Sequence, residues 1–112
     1  METIETNVQL LIWSIKRSPE YKEYKRSEDA LKKYPELKAR ADEYRARNYK
    51  IQNSVDDTNA FQIMADLSHE SEVLHKIPVV HDYLQAELGV CRLLQNISLE
   101  IIGGLDIHIA NV

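Results

Sequence analysis

The chain has 112 residues with a net charge of −4; apolar residues make up 44% and charged residues 29%. That length suits one domain with a modest core and excludes two independent ones. Three Gly and three Pro leave little material for β-turns, and the single Cys91 excludes an internal disulfide.

In chain order, the first predicted helix covers Ile4 to Lys16, with Thr3 as its cap. Its apolar stripe is Ile4, Val8, Leu11/Ile12 and Ile15, and Trp13 lies off the centre of that stripe. Ser18-Pro19-Glu20 then reads as a cap, a first-turn proline and an acid at the positive helix end. The second helix runs on to about Lys33, with Tyr21, Tyr24, Ala30 and Leu31 as its buried face. Pro35 disfavours helical geometry at Tyr34 and sets a break there.

The third predicted helix covers Glu36 to Gln52. Tyr34, Leu37, Ala41, Tyr44, Asn48, Ile51 and Val55 alternate in steps of three and four. That is a heptad-like seam with Asn48 as a polar interruption, short enough to indicate a packed hairpin rather than a long coiled coil. Asn53 to Asn59 is rich in capping residues and reads as a loop, with Asp57 or Thr58 capping a fourth helix from Asn59 to Lys76. Its inner face is Phe61, Met64, Leu67/Ser68, Ser71 and Leu74.

The fifth helix opens at Pro78 and stops at Gly103-Gly104. Its stripe is Val80, Tyr83/Leu84, Leu88, Cys91, Leu94, Ile97/Ser98, Ile101 and Leu105. A helix that long in a small chain needs a partner along its whole apolar face. In this setting Cys91 reads as a small buried apolar residue. The tail from Leu105 to Val112 alternates Leu105, Ile107 and Ile109, which fits a short strand or an unstructured end. The expected architecture is an all-α antiparallel bundle of about five helices, with one helical domain over 1–104 and a tail over 105–112.

Charge is unevenly placed. Lys16 to Lys50 holds twelve basic against seven acidic residues, whereas two basic and eight acidic residues follow from Asp57 onward. Alternating signs on solvated helix faces account for most of the first block. The alternative is a weakly basic surface over residues 16–50 that binds RNA, but no RNA-binding motif with interleaved aromatics accompanies it.

Chemistry-bearing patterns are sparse. His69 and His75 are six apart, a spacing that does not stack them on one helix face, and Val73 stands where a zinc-protease motif needs its second histidine. His81 and His108 complete the set and read as exposed or locally bonded. Asp56-Asp57 lacks the glycine and terminal glutamate of a calcium loop. No phosphate loop and no nucleophile with a recognisable base is present. The expectation is a non-enzyme with no catalytic residue, cofactor or metal ligand. Six Tyr against one Phe suit both a thin core and an interface. No run reaches a membrane span, and no targeting pattern precedes the first helix, so a cytoplasmic location is expected.

Three segments carry a resemblance: LIWSIKRSPEYKEYKRSEDAL, YPELKARADEYR and IPVVHDYLQAELGVCRLLQNI. The most telling parts are the run from Ile15 to Tyr24 and the run from Pro78 to Glu87, because each fixes spacing as well as residue type. Together they resemble the YlbF/YmcA family of small helical bacterial regulatory proteins over Ile4 to Ile102. The resemblance implies an all-α fold that dimerises, as a homodimer or with other family members. It implies support of competence, sporulation and biofilm development, in a complex with the YaaT protein that acts on messenger RNA maturation through ribonuclease Y. It also implies iron–sulfur clusters held by cysteines. This chain departs there, because Cys91 stands alone and no cysteine follows it, so a cluster would need a second chain. The leading expectation is a non-enzymatic cytoplasmic adaptor acting through protein contacts, with Trp13, Ile97, Ile101, Ile102 and Leu105 as candidate interface residues. Direct RNA binding and a structural homo-oligomer are the alternatives.

Overall fold

A computed structural model describes residues 2–52 and 60–107. The described residues form five helices and no strand: α1 (Glu2–Lys16), α2 (Pro19–Leu31), α3 (Pro35–Gln52), α4 (Ala60–His75) and α5 (Pro78–Gly104). The all-α expectation holds, and so does the long C-terminal helix. At 27 residues α5 is about 40 Å long. The expected loop at Asn53–Asn59, the cap at Asp57 or Thr58, the seam residue Val55 and the end of the tail lie outside the described residues.

Each proline is the first residue of a helix. A proline there lacks only an N–H that would have had no partner. At α2 the cap is complete: the Tyr21 amide donates to Ser18 Oγ at 3.2 Å, and the Lys22 amide to the Ser18 carbonyl at 3.1 Å. Before Pro35, α2 stops at Leu31 and the chain tightens, with the Tyr34 amide donating to the Leu31 carbonyl at 2.9 Å. The helix therefore ends two residues before the predicted Lys33, where Lys33 and Tyr34 donate to carbonyls three residues back instead of four. Thr3 is not a cap, because α1 already includes Glu2.

The far end of α5 departs from the glycine-stop reading in one respect. The helix runs through both glycines, and neither has positive φ. Asp106 takes the left-handed conformation instead, at φ 53°. Aspartate tolerates it better than most residues because its short side chain can bond locally. Of the two readings of the tail, a short strand or an unstructured end, most falls outside the described residues; Leu105 and Asp106 form a turn.

The chain divides into two compact units, residues 27–84 and residues 1–26 with 85–112, and both boundaries fall inside helices. In the first, α3 packs on α4, and the buried residues are Ser27, Leu31, Ala41, Leu67, Leu74, Val80, Tyr83 and Leu84. Ser27 was not in the predicted face of α2, although its steps from Tyr24 and to Leu31 put it there. Two predicted core positions fail: Phe61 is 87% exposed, and Met64 is exposed too. Both lie in the first turn and a half of α4, with no described residue burying them. Tyr34 is likewise exposed, because it precedes α3 rather than lying on its inner face.

In the second unit Ala86 is buried, but no residue of α1 is. Leu11 and Ile15 are half-buried; Ile4, Val8 and Ile12 are exposed. Along α5 the predicted stripe is covered only at its start. Leu88, Leu94, Ile101 and Leu105 are exposed. Cys91, expected to be buried, is exposed as well.

Candidate interaction surface

The stretch Val8 to Ile15, VQLLIWSI, contains no charged residue. From Leu93 to Leu105, Glu100 is the only charge. A helix apolar around most of its circumference is ordinarily buried. Here both segments belong to the unit of residues 1–26 and 85–112, and both leave large side chains in solvent. Leu10 and Trp13 on α1, and Leu94, Leu99, Ile101, Leu105 and Ile107 at the end of the chain, are all exposed. Large apolar side chains left in solvent are the feature of this unit that calls for explanation.

Each predicted interface residue falls in this unit. Trp13 is 57% exposed and Leu105 is 62% exposed, with Ile101 close behind. Ile97 and Ile102 are half-buried. The Arg17 guanidinium lies 4.4 Å from the centre of the Trp13 ring. That cation–π contact braces the indole and leaves part of its face open. The sequence reading of α1 missed Leu10, which lies beside the stripe and is also exposed.

The unit of residues 27–84 carries the polar chemistry. Arg45 Nη1 on α3 donates to the hydroxyl of Tyr83 at 3.0 Å. Lys38 Nζ lies 5.5 Å from the Tyr83 ring centre and donates to Asp42 Oδ2 at 2.5 Å. The Asp42 carboxylate holds the Lys38 ammonium above its ordinary pKa of 10.5, outweighing the opposing effect of partial burial. Arg40 on α3 joins Glu70 on α4 at 2.7 Å. Lys32 pairs with Glu28, and in the other unit Arg26 pairs with Glu23. Much of the basic block is therefore matched by acids along the same helices or across α3 and α4.

Between α3 and α4 runs an open groove of about 420 Å³, lined by Tyr44, Asn48, Ile51, Met64, Leu67, Ser68, Ser71 and Glu72. Its hydroxyls and amide can orient a guest.

The histidines divide. His69 is exposed, and His108 lies outside the described residues. His75 and His81 face each other with their Nδ1 atoms 2.9 Å apart. Sequence spacing hid this pair, because six residues do not align on one helix. The available signal was Pro78, which turns the chain between them.

No helix among the described residues is long and apolar enough to cross a membrane. A family model described as control of the competence regulator ComK, YlbF/YmcA, matches residues 4–106. No curated protein and no solved structure matches the chain significantly.

Proposed function

Since the chain belongs to the YlbF/YmcA family of competence-regulator control, we propose that it is a non-catalytic, cytoplasmic regulatory adaptor. It pairs through α1 and the distal half of α5 with a second copy of itself or another family member. The pair then docks on a YaaT-like protein and ribonuclease Y to influence messenger RNA processing.

One observation carries this reading: α1 buries none of its residues, although VQLLIWSI is as apolar as a core segment. Burial of that face releases the water it orders, at roughly 25 cal/mol per Å² of apolar area. A second chain with the same face supplies the matching surface, since a two-fold contact is self-complementary. The ion pairs that engage Arg26, Lys32, Lys38, Arg40 and Arg45 favour protein contact over RNA binding through the basic block.

The test has two parts. Sedimentation equilibrium at tens of micromolar should give twice the 13.0 kDa chain mass. A tagged chain recovered from its own cytoplasm should bring down family relatives, a YaaT-like protein or ribonuclease Y, and should still do so after ribonuclease treatment. A strict monomer would remove the pairing. Recovery of the chain alone would remove the adaptor role.

A further inference from the structure

The corner between α4 and α5 is two residues long, Lys76 and Ile77. His75 ends α4, and His81 is the fourth residue of α5. The corner sets their rings at 73° with centroids 5.1 Å apart, and turns both Nδ1 atoms inward to a separation of 2.9 Å. Both rings are half-buried, so each keeps some access to water. At that separation one ring donates its Nδ1–H to the lone pair of the other.

We propose that His75 and His81 form a two-imidazole chelate for a divalent transition-metal ion of the nickel–copper class, with water completing its coordination. Imidazole nitrogens bind such ions at about 2.0–2.1 Å. Two of them meeting a metal at a right angle stand about 2.9 Å apart, while a tetrahedral angle would separate them by about 3.4 Å. The spacing here is that of adjacent corners in a square-planar or octahedral site, the geometry adopted by Cu²⁺ and Ni²⁺ with nitrogen and oxygen ligands. A closed structural zinc site needs four protein ligands. Among the described residues no group of three or more His, Cys, Asp or Glu is placed to hold a metal. The chelate is therefore an open, exchangeable site.

Metal entry replaces the shared hydrogen: the donating ring gives up its Nδ1 proton to water and takes one back from water at Nε2, so both imidazoles stay neutral and both Nδ1 lone pairs turn to the ion. The ion then ties the last turn of α4 to the first turn of α5. Both histidines belong to the unit of residues 27–84, so the site is complete within one chain.

The experiment uses the untagged full chain with Cys91→Ser, because an exposed free thiol would compete for the added metal. Nickel chloride is titrated by calorimetry at neutral pH. One Ni²⁺ per chain should bind, and binding should persist in the double variant H69Q/H108Q. H75Q and H81Q should each weaken it at least as much as loss of an outer-shell partner does, roughly 10–100-fold. Circular dichroism confirms that the variants remain helical. Where a variant loses helix, the unsubstituted pair is read by NMR, in which Ni²⁺ should broaden the His75 and His81 imidazole signals first. No binding at millimolar Ni²⁺, affinity in H75Q and H81Q equal to that of the chain with both histidines, or broadening at His69 and His108 alone would overturn the assignment.

Discussion

Arg45 reaches from α3 to Tyr83 on α5 and donates to its hydroxyl, fixing the most buried aromatic ring of the 27–84 unit to a charged side chain. Tyr83 is 1% exposed, so its ring acts as core while its hydroxyl is held by a partner instead of water. Tyr83→Phe keeps the ring and removes the bond. Hydrogen bonds to charged groups contribute about 1.5–3 kcal/mol. Arg45 retains Asp42 nearby at 3.5 Å, which places the loss at the lower end. Tyr83→Ala also removes the ring and should cost about 3–5 kcal/mol. Urea unfolding of both variants checks the order; equal midpoints for Tyr83→Phe and the parent would show that the bond contributes nothing.

Leu74 and Phe61 lie on the same predicted face of α4 but have opposite surroundings. Leu74 is fully buried; Phe61 is almost fully exposed. Leu74→Ala should destabilise the chain by about 2–5 kcal/mol. Phe61→Ala should shift stability by no more than about 0.5 kcal/mol, as for an ordinary surface position. Paired thermal or urea unfolding decides this. A large loss at Phe61 would mean that a second chain covers it.

That contrast shows what the sequence could and could not convey. Helix starts were legible because Pro19, Pro35 and Pro78 act locally, through a missing donor and a fixed φ. Part of the inner face was legible from its period, since Leu31, Ala41, Leu67, Leu74 and Val80 are buried as read. What covers that face was not, because periodicity contains no information about the neighbour. The stripe of α5 keeps the same rhythm from Val80 to Leu105, yet Val80 is buried and Leu105 is exposed. Cys91 was misjudged for this reason. The His75–His81 contact was missed because it depends on how a corner folds back.

The Lys38–Asp42 pair gives a pH dependence with a definite sign. The folded-state pKa of Lys38 is raised, chiefly by the hydrogen bond to Asp42. Its stabilising contribution is complete below the ordinary value of 10.5 and is lost as pH rises through the higher folded value. Asp42→Asn removes the main cause. The parent should therefore exceed this variant in Tm at pH 9, and the gap should narrow above pH about 10.5. Melting curves from pH 8 to 11.5 test it. A gap that widened over the alkaline range would contradict the assignment of Asp42 as the stabilising partner.

Trp13 and Ile101 are the sharpest probes of the pairing face. Both are large and exposed, and both belong to the unit whose helix α1 buries nothing. Tryptophan truncation at the centre of an interface typically costs 2 kcal/mol or more, about a thirtyfold weakening. Trp13→Ala should weaken self-association by about that factor. Ile101→Asp should do more, because an unpaired carboxylate would enter an apolar contact. Neither change should alter helix content, since both side chains are already in water within one chain. Leu94→Ala, at 45% exposure, should lower the unfolding midpoint mainly at protein concentrations where pairs form. Sedimentation across a hundredfold range of concentration separates the effects. If both variants kept the mass distribution of the parent, the contact would lie elsewhere, and the exposed face of α1 and α5 would need a different partner.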